Sequence, residues 1–209
     1  MSLSWPARTI LALAAILGPA LFLDAALPAP AETPAQVSLA GQLLIASPSM
    51  GDPRFDRTVI LMVKHDQNGA FGIVINRPIE ERPWADLLEM LGEKDTTVAG
   101  KARIFAGGPV QPEIGFVIHS ADYQRPGTIA IDGRVAMTSS RDIVRDIANS
   151  KGPTKSLIAF GYAGWAPGQL EGELARRAWS TAPADLRLIF DEDREKVWDA
   201  AFTQRTQDL

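Results

Sequence analysis

The run Thr58 to Val63 (TVILMV) has no polar interruption and no alternation, so a strand here is expected to be buried on both faces. The turn His65-Asp66-Gln67-Asn68-Gly69 follows, and Asn-Gly is the strongest short hairpin signal. Phe71 to Ile75 then returns as the partner strand. Short strands are also predicted at Leu43 to Ala46, Arg103 to Ala106, Phe116 to His119, Thr128 to Ile131, Val135 to Thr138, Ser156 to Phe160 and Leu186 to Phe190. Asp132-Gly133 is expected to close a tight hairpin between two of them.

Four segments carry helical spacing. Trp84 to Leu91 puts Leu87, Leu88 and Leu91 on one face, with Gly92 to close it. A second helix opens at Ser139-Ser140-Arg141-Asp142 and runs to Ser150, with Ser139 as the predicted cap and Asp142 in the acidic place of a capping box. Gln169 to Trp179 is the third, with Glu173 and Arg177 spaced to pair at i,i+4. Asp193 to Gln204 is the last, packing Val197, Trp198 and Phe202. Strands come as hairpins as often as they alternate with helices. That favours a single α+β domain with a mixed, mostly antiparallel sheet and flanking helices.

The 209 residues are 46% hydrophobic and 22% charged, which suits a folded domain with a full core. The net charge is −4 and no run of Lys and Arg is present, which argues against a nucleic-acid partner. The chain has no cysteine, which excludes disulfides, thiol catalysis and Cys-type zinc sites.

The N-terminus has the three parts of a secretory signal: a short segment ending at Arg8, the uncharged run Ile10 to Leu23, and Ala29-Pro30-Ala31 at a small-residue cleavage site. Residues 1–31 are expected to be a cleaved signal or a membrane anchor, 32–40 a linker and 41–209 the folded domain. The chain is then exported or anchored. The alternative is a start codon misassigned onto a cytoplasmic protein.

Four blocks identify a relationship. They are LLIASPSMGDPRFDRTVILMVKHDQNGAFGIVINRP (Leu43 to Pro78), GGPV from Gly107 followed by GFVIHS, MTSSRD (Met137 to Asp142), and GYAGWAPGQLEGELARRAWSTAPAD (Gly161 to Asp185). In this order and spacing the chain resembles the bacterial YqgE/AlgH family, over about Gly41 to Phe202. The resemblance implies a barrel-like mixed sheet, no established enzymatic activity and no established cofactor. It carries a transcriptional-regulator label without a defined DNA-binding element, and a cytosolic location at odds with the apolar leader. Many relatives have a cysteine just before the first-block histidine; Met62, Val63 and Lys64 stand before His65 here, so no thiol switch carries over.

Candidate sites follow from residue type. His65 and His119 both end apolar strands, where they could face one pocket; a metal needs three or four ligands, and only Asp66 clusters with them, so no metal is assigned and structural histidines with satisfied hydrogen bonds are the favoured reading. Ser139, Ser140, Arg141 and Asp142 combine free helix N–H groups with a guanidinium, which can hold an anion as well as cap a helix. Gly107-Gly108-Pro109 permits close backbone approach by a ligand or another chain, but no phosphate-loop pattern is present. Asn76, at the end of the first block, and Trp165, in a Gly/Pro-rich turn, complete the set; Trp165 is either a plug over the core or an anchor for a partner. No nucleophile elbow exists, and no catalytic residue is assigned. The leading expectation is a non-catalytic binding or regulatory module for a small anionic ligand or a protein partner, with these loops sharing one surface. The alternatives are a hydrolase using His65 or His119, and the regulator that the family label names.

Overall fold

The computed structural model describes residues 37–93 and 98–206; the leader and most of the expected linker lie outside the described residues. Strands β1 (Gln42–Ala46), β2 (Val59–Asp66) and β3 (Gly69–Val74) run as an antiparallel meander, with β2 and β3 forming the expected hairpin. Asp66 pairs with Gly69 across a two-residue turn, and its Oδ1 accepts the Asn68 N–H at 2.8 Å. The run in β2 is buried on both faces, as its composition requires. Val59, Leu61 and Val63 enter an inner core with Leu43 and Ile45, while Ile60 and Met62 enter an outer core with Leu44 and Ala46.

The centre of the sheet is β9 (Ser156–Trp165). On one side it pairs antiparallel with β6 (Val110–Ser120). On the other it runs parallel to β5 (Lys101–Ala106) over its first half and antiparallel to β3 over its last. Four further strands extend the sheet: β4 (Pro78–Pro83) on β5, β8 (Val135–Thr138) on β6, β7 (Ile129–Ala130) on β8, and β10 (Trp179–Pro183) on β1. Among the described residues only the β5–β9 pairing is parallel, so the sheet is mixed and mostly antiparallel. It curls into a half-barrel with helices packed around it, an α+β fold.

One residue in β9 changes which side of the sheet its neighbours face. Leu157 and Ala159 point into the inner core; Ile158 and Phe160 point outward to a third cluster with Leu87 and Ile143. Gly161 has φ +76°. Beyond it Tyr162 takes the inner side, and Ala163 and Trp165 face the outer core of Ile60 and Leu170. A single left-handed residue thus shifts the alternation by one position, as a bulge does. The half-barrel consequently has one inner core and two separate outer ones. Helices α1 (Trp84–Met90) and α2 (Arg141–Ala148) cover one outer core, α3 (Gln169–Ala175) covers the other, and α4 (Val197–Thr203) seals the inner core through Val197, Trp198 and Ala201. Among the described residues no helix is long and apolar enough to cross a membrane.

Several sequence expectations need correction. Leu186 to Phe190 is not a strand: Arg187–Asp191 forms a π-helical turn, begun by Asp185 Oδ1 on the Arg187 N–H at 2.8 Å and burying the consecutive pair Leu188 and Ile189. Short apolar runs do not distinguish strand from helix, and here β10, unforeseen, already occupies the sheet edge. The third helix stops at Ala175 rather than Trp179, because Arg177 adopts φ +57° and the Ala178 N–H closes on Glu173 O at 3.0 Å. Glu173 therefore does not pair with Arg177; it accepts from Trp165, Trp179 and Gln169. Ser140, not Ser139, caps α2, accepting the Asp142 N–H at 3.2 Å, since β8 holds the chain in extended form to Thr138. The terminal helix begins at Val197 rather than Asp193. Asp132-Gly133 lies in a wider loop, closed by Asp132 Oδ1 on the N–H groups of Arg134 and Val135.

Candidate functional site

The described surface holds an apolar groove of about 370 Å³ where α1, α2 and β6 meet. Its floor is the outward face of the sheet before Gly161, with Val117, Ile158 and Phe160. Leu87, Met90 and Leu91 of the α1 segment form one wall, Val144 of α2 another, and Ile114 of β6 the rim. Met90 and Ile114 are 63% and 37% exposed, so apolar surface reaches solvent here.

Its polar lining, Glu113 apart, is the contiguous segment Thr138 to Arg141. Ser140 caps α2, which leaves first-turn N–H groups and the positive end of the helix dipole at the groove. Asp142 Oδ1 pairs with Arg145 Nη1 at 2.8 Å, and its Oδ2 accepts from the Ser140 hydroxyl at 3.4 Å. Arg141 is exposed and makes no ion pair among the described residues, and the same holds for Glu113. Of the sequence candidates, the structure places Ser139, Ser140 and Arg141 on this groove.

His119 lies behind it. The ring is fully buried, and Nδ1–H donates to Ser120 O at 2.9 Å, so Nε2 accepts from the Thr138 hydroxyl at 2.9 Å. Thr138 in turn accepts from Thr128 Oγ1 at 2.7 Å. Burial pushes the His119 pKa below its ordinary value, outweighing the Ser120 carbonyl and Asp122. Tyr123 covers the ring edge-on at 5.5 Å and anchors through its hydroxyl to Asp146 Oδ2 at 2.7 Å. A hydroxyl does meet this imidazole, but a main-chain carbonyl backs it in place of an acid, and Thr138 has no exposed surface.

His65 belongs to the other end of the molecule. It follows the bulge in β2 and neighbours Ala70, which pairs with Trp165; His119 pairs with Ser156 at the start of β9. The length of β9 separates them, roughly 30 Å at the usual strand rise. The two histidines therefore do not share a pocket, and the ring nitrogens of each are hydrogen-bonded within the protein. His65 Nδ1 accepts the Leu39 N–H at 3.1 Å and Nε2 meets Glu171 Oε1 at 2.7 Å, tying Ser38–Leu39 and α3 to β2.

Gly107 and Gly108 meet the chain's own backbone. Gly107 N–H donates to Phe160 O at 2.7 Å and its carbonyl accepts the Val74 N–H at 2.8 Å, at the point where β9 exchanges β5 for β3. A Cβ on Gly108, at φ +153°, would lie 2.0 Å from the Tyr162 carbonyl carbon. Pro109 lines a separate hollow of about 350 Å³ beside Trp165. Trp165 is 7% exposed and donates to Glu173 Oε2 at 2.9 Å, which makes it a plug. Asn76 clamps the β2 entry, with Oδ1 on the Val59 N–H and Nδ2 on Arg57 O, both at 2.9 Å. The expected shared surface thus divides among different faces, and only the α2 end sits on an apolar hollow.

The groove walls were not foreseen. Met90 sits three residues after Leu87 and widens the α1 stripe, a signal that was available; Ile114 lies in a stretch with no readable pattern. Among the described residues, no three of His, Asp and Glu converge to hold a metal ion.

Comparison with known proteins places this architecture. A family model described as AlgH-like matches residues 43–209. A UPF0301 protein of Rhodospirillum rubrum is 46% identical over 153 residues, covering 73% of this chain and 80% of that protein. Another, from Jannaschia, is 47% identical over 165 residues, covering 78% and 86%. The solution structure of AlgH from Pseudomonas aeruginosa matches with a TM-score of 0.70 at 40% identity, covering 83% of this chain and 92% of that one. A Corynebacterium diphtheriae crystal structure shares the fold, with a TM-score of 0.63 at 21% identity over 80% and 87% of the two chains. The chain belongs to the AlgH-like, UPF0301 family.

Proposed function

We propose that the protein is a non-catalytic binding module that holds a small anionic ligand in the groove between α1, α2 and β6. One observation carries this: the capped N-terminus of α2 and the unpaired Arg141 border an apolar hollow, so charge recognition and water exclusion meet in one place. The buried His119–Thr138 pair stiffens the strand end that delivers Ser139 to Arg141, and its hydrogen bonds are internal. A net charge of −4 argues against a nucleic-acid partner.

The test is calorimetric titration of the full chain with sodium butyrate. Binding weakened several-fold in Arg141→Gln supports the function; equal binding by both proteins contradicts it. The N-terminal pattern adds the proposal that the ligand is met outside the cytoplasm. Fractionation with N-terminal sequencing tests that part, and an intact Met1 on cytoplasmic protein would refute it.

A further inference from the structure

We infer that the ligand of the α1–α2 groove is a linear, singly charged aliphatic carboxylate of about eight carbons, sized to the cavity at roughly the volume of a liquid water per heavy atom. The inference rests on the anion-binding function proposed above and names the class of that anion.

The cavity carries it, and the helix end only orients the ligand. About 370 Å³ holds about twelve non-hydrogen atoms at ~30 Å³ each, room enough for the alkyl chain and head group of an octanoate ion. The walls are mainly Leu, Met, Ile and Val, an aliphatic lining in which Met90 supplies the side chain that conforms most readily to a methylene chain. The two phenyl rings present are already engaged. Phe116 stacks edge-on with Phe71 at 5.6 Å and Tyr162 at 6.1 Å, and Phe160 lies across Gly115, 3.3 Å from where a Cβ would stand.

Charge sets the head group. Because the polar lining other than Glu113 is the single stretch Thr138 to Arg141, the hollow has one polar margin, as an amphiphile requires. Arg141 offers one unpaired positive charge and the α2 end adds a partial one. Glu113 on the rim opposes a second negative charge, so a carboxylate fits better than a doubly ionised phosphate. The α1 side supplies exposed Met90 and the β6 side exposed Ile114, both of which the chain would cover.

The experiment is calorimetric titration of the full chain with butyrate, hexanoate, octanoate, octanol and octylammonium. Affinity is expected to rise about fourfold per added methylene up to octanoate. Octanol and octylammonium should bind at least tenfold more weakly than octanoate. Arg141→Gln should weaken octanoate about tenfold and leave octanol unchanged, and Glu113→Gln should strengthen octanoate. Ile114→Glu, a change at a partly exposed position, should abolish the chain-length gain. If butyrate and octanoate bind equally and Arg141→Gln weakens both, the aliphatic inference fails while the anion function stands. If octanol matches octanoate, or nothing binds, both fail.

Discussion

Trp165 and Trp179 direct their indole N–H groups at the same atom, Oε2 of Glu173, at 2.9 and 2.8 Å. Trp165 ends β9 and Trp179 begins β10, so one carboxylate on the short helix between them sets both strand ends. The indoles then meet edge to face at 6.0 Å, and Phe55 completes the aromatic group at 5.4 Å from Trp179. Glu173 Oε1 accepts from Gln169 Nε2, which holds the carboxylate in this orientation.

Removing that carboxylate orphans two donors on buried indoles. Glu173→Ala is expected to cost about 2–6 kcal/mol, at ~1–3 kcal/mol for each unsatisfied buried group. Glu173→Gln keeps one carbonyl oxygen for both indoles and should cost less than half as much. Denaturant melts followed by tryptophan fluorescence measure both values, and equal losses would contradict the shared-acceptor account.

The glycine pair after β5 gives a second test. Gly108→Ala forces a Cβ into the Tyr162 main chain. Neither backbone can yield without opening the sheet where β9 changes partners. A loss above about 3 kcal/mol, or failure to accumulate soluble protein, is expected. Gly51→Ala has nothing within 4 Å of its new atom and should change stability by less than about 0.5 kcal/mol.

The parts of this fold that were legible in the sequence are those decided locally. The β2–β3 hairpin follows from an apolar run and a turn-forming stretch, although its two turn residues are Gln67 and Asn68 with Gly69 already in β3, and Gly92 ends α1 with φ +82° as expected. The parts that were not legible depend on distant partners. Nothing near Glu173 announces that two indoles will claim it, so its spacing to Arg177 pointed to an ion pair and a longer helix. Leu186 to Phe190 carries strand-like apolar residues, yet Leu188 and Ile189 are both buried, which suits a helical turn over the inner core. The same contrast holds at the groove. Its polar margin is a continuous motif, Ser139-Ser140-Arg141, whereas Met90, Ile114 and Phe160 converge only after the sheet has curled.

Stability should depend on pH in two separate windows. His119 has a lowered pKa in the folded state because burial disfavours its charged form. Between that value and 6.5 the unfolded chain binds a proton that the folded chain does not, so stability falls as pH drops below about 6.5. His119→Gln should flatten this slope while lowering stability at pH 8. Denaturant midpoints measured from pH 8 to pH 5 report it, and an unchanged slope in the variant would refute the assignment.

The acid window belongs to carboxylates. Burial works against ionisation of Asp146, but the Tyr123 hydroxyl and the Arg125 guanidinium outweigh it and hold the pKa below the usual range. Asp122 is lowered to about 2, by the Ser120 hydroxyl first and then Thr154. Both contributions are complete above the unfolded carboxylate value of 3.8 and are lost as pH falls through the lower folded values. Asp146→Asn should therefore reduce stability at pH 7 and narrow its difference from the native chain near pH 2. A difference that persists unchanged at pH 2 would contradict this.

The most direct measurement is an amide-resolved NMR titration of the full chain with octanoate. Saturable shifts are expected along Ser139 to Val144 and at Leu91, Ile114 and Gly115, with His65, Glu171 and Trp165 unmoved. Shifts centred on His65 and Trp165, or none that saturate, would contradict a ligand groove between α1, α2 and β6.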